Sequence, residues 1–306
     1  MHIDTYDVAI IGGGAAGLSA ALVLGRARRR VVVVDAGAPR NAPAAHMQGF
    51  ISHDGTPPGD LLRAARAEVR RYGVEIVDDR VVDATAGFAL RLASGGTVKA
   101  RHVLLATGAA DELPDIVGAR ERWGRDLLHC PYCHGWEVRD QPIGVLGSVE
   151  HAHLLRQWTD DVVLFTHTQP VTADERATLQ ARGIAVVDGK VERLVVTDDH
   201  LRAIGVADGR TVPRDALFIR PALRAHEEGP AAALGCELLP GGLVRADADG
   251  STSVPGVWAA GNAANPRAQV ITAAGEGSAV AIAINTDLVK EDVETAVEQV
   301  VAARAA

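Results

Sequence analysis

The chain is short of the residues that would tie it to an oxidising compartment, a membrane or a nucleic acid. Of its 306 residues only 3 are cysteine and 2 are methionine, and aromatic side chains make up 4%. Three cysteines cannot build the dense disulfide framework of small secreted domains. No uninterrupted apolar run reaches the ~20 residues that span a bilayer. Positive charge is also scarce: 31 Lys and Arg stand against 39 Asp and Glu, a net charge of −8. That balance excludes the basic footprint of a nucleic-acid-binding protein. The local cluster Arg26-Ala27-Arg28-Arg29-Arg30 reads instead as a helix C-terminus favoured by the macrodipole. The N-terminus enters a strand pattern directly, without a basic segment, apolar region and cleavage site, so the expected location is cytoplasmic.

What remains is an ordinary globular profile, 47% hydrophobic and 23% charged, long enough for two domains. Tyr6-Asp7-Val8-Ala9-Ile10-Ile11 reads as a buried parallel strand, followed by Gly12-Gly13-Gly14-Ala15-Ala16-Gly17 and a helical stretch over 18–28. Gly12, Gly14 and Gly17 satisfy G-x-G-x-x-G in the strand–turn–helix context that gives the pattern meaning. The first allows the tight turn, the second close approach of a pyrophosphate, the third close packing of helix on strand. The helix N-terminus, at Ala15 and Ala16, then offers free N–H groups to the phosphates. Val31-Val32-Val33-Val34-Asp35 is the second strand. It ends, before Ala36, in a carboxylate placed to accept from a ribose hydroxyl. Together these features point to a dinucleotide with an unphosphorylated ribose, FAD or NAD.

Residues 40–60 are rich in Pro and Gly and read as loop, with His46 a weak active-site candidate within it. A helix over 61–72, an antiparallel ribbon to Lys99 and a buried strand over 102–106 follow, ending in Thr107-Gly108-Ala109. A second strand–turn–helix begins at Ile143-Gly144-Val145-Leu146. Its turn, Gly147-Ser148-Val149-Glu150-His151-Ala152, carries a branched side chain at Val149 where a pyrophosphate must approach. The next strand ends in Thr166-His167-Thr168-Gln169, which has neither an acid for an NAD ribose nor an arginine for an NADP phosphate. The fold unit is retained while its nicotinamide site is degraded. Near the C-terminus, Ala259-Ala260-Gly261-Asn262 leads to Gln269-Val270-Ile271 and a helix to about residue 285. Cys236, alone in Leu234-Gly235-Cys236-Glu237-Leu238, reads as a small buried apolar residue.

Two of the three cysteines share the stretch Leu128-His129-Cys130-Pro131-Tyr132-Cys133-His134-Gly135-Trp136-Glu137. A C-x-x-C pair can be a short structural disulfide, half of a zinc site, a haem attachment point when followed by His, or a dithiol that exchanges electrons. A loop this short stabilises little, no second Cys or His pair stands at ligand spacing, and no export signal precedes it. Redox exchange is the favoured reading, and no metal is expected.

The ensemble resembles the low-molecular-weight thioredoxin reductase family of flavoproteins over essentially the whole chain. Gly12 to Gly17, Thr107-Gly108, Cys130-Pro131-Tyr132-Cys133, Gly261-Asn262 and the segment 269–277 carry the resemblance. It implies an α/β fold with two Rossmann-like, three-layer (ββα) domains. The FAD-binding domain would be discontinuous, 1–115 and 243–306, interrupted by a central domain 116–242 that carries the C-x-x-C pair. It also implies a homodimer. FAD would be held by Gly12, Gly14, Ala15, Ala16, Gly17, Asp35, Ala36, Thr107, Gly108, Gly261, Asn262, Gln269 and Val270. His134 stands where the family has an acid, and Asn262 where it has Asp. Together with Val149, His134 makes the sequence similar to the gliotoxin- and holomycin-type dithiol oxidase branch. That likeness implies that Cys130, Cys133 and His134 oxidise a small-molecule dithiol and that FAD passes the electrons to O2, giving H2O2. Cys133 would be the flavin-proximal sulfur. An NAD(P)H-dependent thioredoxin or disulfide reductase is the alternative, and a flavin-binding redox sensor without turnover a third.

Overall fold

The computed structural model describes residues 5–85, 87–226 and 229–305. The ends of the expected FAD domain, 1–4 and 306, lie outside the described residues. The fold is α/β, with two Rossmann-like sheets in two compact units. One unit comprises Met1–Arg40, Gly59–Ala110 and Leu223–Ala306, the other Asn41–Pro58 and Asp111–Ala222. These divisions fall near 110 and 222, against the expected 115 and 242. Packing explains the second difference: Leu234, Cys236 and Val244 join the apolar cluster of the first unit's sheet.

In the first unit β1 (Thr5–Ile11), β2 (Val31–Asp35) and β3 (Glu75–Asp78) run parallel, while β4 (Val81–Thr85), β5 (Ala89–Leu92) and β6 (Thr97–Leu105) form an antiparallel meander. The sheet order is β3-β2-β1-β6-β5-β4, and Val257–Ala259 adds parallel to β6. The unbroken apolar runs of β1 and β2 follow from burial on both faces. On one face lie α1 (Ala15–Arg26) and the C-terminal helix Val270–Ala305, burying Leu18, Leu24, Ile284 and Leu288 against Ile10 and Leu104. Each such side chain contributes roughly 1.5–3 kcal/mol. The two helices approach so closely that a Cβ on Gly277 would stand 2.0 Å from the Ala16 carbonyl oxygen. The helix runs about 20 residues past the expected end near 285. From Ile282 onward it carries an exposed apolar stripe, Ile282, Val289, Val293, Val297 and Val300, whose spacing keeps one face. The helix α2 (Pro58–Arg70) starts three residues before its predicted start.

The second unit holds a five-stranded sheet in the order Ala185–Val187, Val162–Phe165, Ile143–Leu146, Ala216–Phe218, Leu127–Leu128, all parallel. Phe165 and Phe218 are wholly buried in its core. A buried ion pair fixes the segment leading into Leu127–Leu128. Arg122 Nε donates to Asp126 Oδ1 at 2.7 Å, and the Leu201 N–H donates to Asp126 Oδ2 at 2.8 Å. No helix among the described residues is long and apolar enough to cross a membrane.

Candidate active site

The short strand Leu127–Leu128 delivers His129 and Cys130 to the carboxyl edge of the second unit's sheet. In doubly wound folds this edge is where ligands bind. Cys130 is the extended N-cap of the turn Pro131–His134, and Pro131 suits the first helical position because its φ is preset. The Cys130 carbonyl accepts from the N–H groups of both Cys133 and His134 at 3.1 Å. That turn brings the two cysteines to a Cα separation of 5.2 Å, joined as a disulfide. Gly135 must lack a side chain, because a Cβ would stand 2.5 Å from the Pro131 carbonyl oxygen and 2.9 Å from the Trp158 ring. Tyr132 meets Trp158 edge-on at 5.6 Å, and the Arg139 guanidinium lies 4.1 Å over the Trp136 ring. Tyr132 and Trp136 are each 66% exposed, aromatic surface beside the disulfide.

His134 is half-buried. Burial pushes its imidazole below the ordinary histidine value, and the Glu137 carboxylate pulls it back up. The loop 41–58, which belongs to this same unit, brings in a group that sequence reasoning missed: Gln48 Nε2 donates to Glu137 Oε1 at 3.1 Å. His46 is exposed. The signal that marks Gln48 is a contact across 89 residues, which no local pattern carries.

At the second strand–turn–helix the side chains serve the protein's own backbone. Ser148 caps the helix Val149–Leu155 by accepting from the His151 N–H at 3.3 Å, with Val149 at its first position. Arg220 pairs with Glu150 at 2.7 Å. His151 is buried and its imidazole is pushed down to about 4 by that burial, with the nearby Arg220 and His129 acting in the same direction. Thr166 Oγ1 accepts from the Gly189 N–H at 3.3 Å, and His167 Nδ1 from the Val191 N–H at 3.1 Å.

The first unit's turn is built differently. Gly12 has φ +108°, and a Cβ there would lie 2.3 Å from the Ala106 carbonyl oxygen. A Cβ on Gly17 would lie 1.9 Å from the Gly12 carbonyl oxygen. Gly14 is the N-cap of α1, with no side-chain cap, and a Cβ on it would meet nothing within 4 Å. An uncapped helix N-terminus facing open space, with Ala15 and Ala16 in its first turn, fits a dinucleotide pyrophosphate. Asp35 accepts from the Gly37 N–H at 3.2 Å and from Arg66 at 2.7 Å, which leaves lone pairs for a ribose hydroxyl. Ala36 follows it, exposed. Thr107 and Gly108 close the turn after β6, half-buried. Gly261 has φ +66° and donates its N–H to Glu276 at 2.9 Å. Asn262 is more committed than expected: Nδ2 donates to the Asn265 and Ala268 carbonyls at 2.9 and 3.1 Å, and Oδ1 accepts from Arg40 at 3.2 Å. It holds the 261–268 loop and keeps one lone pair on Oδ1 for a ligand. Gln269 and Val270 lie half-buried where the C-terminal helix begins.

The family described as pyridine nucleotide-disulphide oxidoreductase matches residues 6–277. Thioredoxin reductase sirT of Leptosphaeria maculans is 31% identical, with 92% of this chain and 93% of that protein aligned. Thioredoxin reductase tcpT of Claviceps purpurea (strain 20.1) is 35% identical over 85% of this chain and 87% of its own. Among solved structures, HlmI superposes with a TM-score of 0.92 at 54% identity, covering 98% of this chain and 97% of that one.

Proposed function

Because the chain belongs to the FAD-binding pyridine nucleotide-disulphide oxidoreductase family, in its thioredoxin reductase-like form, we propose that it is an FAD-dependent dithiol oxidase that closes an intramolecular disulfide in a small molecule. The observation that carries this reading is the contrast between the two phosphate turns. The first leaves its helix N-terminus free at Gly14, while Ser148 caps the second, with Val149 at its first helical position. A protein so built takes electrons at its disulfide and has no prepared seat for a nicotinamide donor.

The chemistry follows from Cys130, Cys133 and His134. A substrate thiolate attacks the Cys130 sulfur, the S–S bond to Cys133 breaks, and Cys133 leaves as thiolate. His134, unprotonated at neutral pH because burial lowers its pKa, takes the proton of the second substrate thiol on an imidazole nitrogen. The new thiolate attacks the substrate sulfur of the mixed disulfide and releases Cys130. The product is a cyclic disulfide, and the cysteine pair holds two electrons. FAD, when bound, is the two-electron acceptor that returns the pair to its disulfide, with O2 taking the electrons as H2O2. Gly12, Gly14, Ala15, Ala16 and Gly17 would hold its pyrophosphate, Asp35 with Ala36 a ribose, and Thr107, Gly108, Gly261, Asn262, Gln269 and Val270 the remainder. A homodimer completes the reading, supported by the exposed apolar stripe from Ile282 to Val300.

The second reading is the NAD(P)H-dependent reductase, favoured by the retained Gly147 turn and by the names of the two fungal relatives. Anaerobic stopped-flow mixing separates them. A cyclisable small dithiol is expected to bleach the flavin within a turnover, and air to restore it with H2O2 formed; NADPH and NADH leave it yellow. Fast bleaching by NADPH would overturn the oxidase in favour of the reductase. Slow reoxidation by air after dithiol bleaching would point to a protein acceptor.

A further inference from the structure

The cysteine turn rests on a side chain from a different element. Trp158 ends the turn after the helix Val149–Leu155, its N–H donating to the Leu155 carbonyl at 2.9 Å. From there it meets the segment 131–140 at its start, its middle and its end. The Tyr132 ring stands edge-on to the indole at 5.6 Å, a favourable aromatic geometry. Gly135 lies so close to the indole that an added Cβ would stand 2.9 Å from both Cδ2 and Cε2. The Asp140 N–H donates to the Trp158 carbonyl at 3.0 Å.

This support is itself fixed. Arg156 donates Nη1 to the Thr159 carbonyl at 2.8 Å and Nε to the Arg182 carbonyl at 2.9 Å. Thr159 Oγ1 donates to the Gln141 carbonyl at 2.8 Å, so the far end of the segment is tied down beside Asp140. The half-buried indole packs on the cluster that contains Leu128, Leu155 and Phe218. A rigid support matters for a pair that opens and closes. Once the Cys130–Cys133 bond is broken, a free turn would let the two thiols drift apart, and that gain in freedom favours the dithiol. A turn held against Trp158 forgoes the gain and keeps the thiols at reacting distance.

We infer that Trp158 is a positioning residue that holds the Cys130–Cys133 turn together in its reduced state and so sets the reduction potential of the pair. The inference rests on the reading of this pair as redox-active. The couple balances against glutathione: two glutathione thiols give two electrons and two protons to the pair, its S–S bond breaks, and the S–S bond of one glutathione disulfide forms. Loosening the support changes the disulfide state little, because the bond itself fixes the turn, whereas it frees the dithiol. The equilibrium then moves towards dithiol.

The test is an anaerobic titration of the FAD-loaded protein in glutathione redox buffers, the free thiols being alkylated and the Cys130–Cys133 peptide scored by mass. Trp158→Leu is expected to shift the equilibrium towards dithiol by about 3- to 30-fold, a rise in potential of about 14 to 44 mV at about 29.6 mV per factor of ten. Trp158→Phe keeps a ring against Tyr132 and Gly135 and is expected to restore the titration towards wild type. Tyr132→Leu removes the edge contact alone and moves the equilibrium in the direction of Trp158→Leu, by less. A role confined to stability would lower the melting temperature of these variants and leave the titration unmoved. A Trp158→Leu titration that superimposes on wild type, or shifts towards the disulfide, would overturn the inference. Should Trp158→Leu fail to fold, an unmoved titration in Tyr132→Leu does the same. A wild-type pair that stays oxidised at every glutathione ratio and in dithiothreitol would overturn the redox reading itself, and this inference with it.

Discussion

Two glycines of the first turn, Gly14 and Gly17, separate cofactor binding from folding. Gly17→Ala places a methyl group 1.9 Å from the Gly12 carbonyl oxygen, well inside the 3.0 Å that real Cβ contacts respect. The strand–helix junction must open by about 1 Å, and overpacking of this kind costs typically 1–3 kcal/mol. At roughly 2–4 °C per kcal/mol for a unit of this size, the apoprotein melts up to ~10 °C lower. Gly14→Ala differs. Its backbone, φ −80° and ψ −170°, suits alanine, and the added methyl meets nothing. Apoprotein stability is expected to hold or rise by ~0.4–1 kcal/mol, because alanine restricts the unfolded chain. The new methyl nevertheless projects into the space in which a pyrophosphate approaches the amides of α1. A cost of ~1–3 kcal/mol there weakens FAD by roughly 5- to 150-fold. Flavin-fluorescence titration of the stripped protein, alongside thermal melts without FAD, measures both quantities. Wild-type FAD affinity in Gly14→Ala would refute the assignment of this turn to the pyrophosphate.

Cys130→Ser and Cys133→Ser are each expected to abolish dithiol oxidation while the protein stays yellow; near-normal turnover in either would remove disulfide exchange from the mechanism. His134→Ala is expected to slow oxidation by ~10²–10⁴-fold and to flatten the acid limb of the rate profile, and an unchanged profile would assign the base elsewhere. His151, pushed down to about 4 by burial from an ordinary 6.5, binds a proton in the unfolded chain before the folded one. Its contribution to stability is therefore full above pH 6.5 and is lost at ~1.4 kcal/mol per pH unit on acidification towards 4. Urea melts across that range are expected to show a steeper loss in wild type than in His151→Leu. Arg122→Ala strands the Asp126 carboxylate in the core, a loss of ~3–5 kcal/mol by chemical denaturation, which the double change Arg122→Met with Asp126→Leu largely recovers.

Much of the fold is legible in local pattern because its signals are local. The apolar runs of β1 and β2, the spaced glycines between them and the C-x-x-C turn each announce themselves within a dozen residues, and the structure brings Cys130, Cys133 and His134 onto one turn. What local pattern could not carry is set by partners far along the chain. The loop 41–58 follows the FAD-domain signature in sequence yet belongs to the unit of the disulfide, where Gln48 finds Glu137. The C-terminal helix outruns its expected end because residues 286–301 continue an apolar stripe beyond the segment that packs on α1. Buried His102 went unmarked for the same reason. Its Nδ1 accepts from the Trp258 indole at 3.0 Å and its Nε2 meets Glu291 at 2.8 Å, partners more than 150 residues away.

The Ser148 cap has a consequence for direction. On the proposed function the protein works in a cell whose pool of reduced nicotinamide nucleotide could drive the same disulfide the opposite way, so an open second turn would be a short circuit. A hydroxyl that satisfies the helix's own amide, one hydrogen bond worth about 1 kcal/mol to the fold, together with a branched neighbour, acts as insulation. On that proposal current flows one way, from thiol to acceptor, and the second turn contributes by a contact it declines to offer.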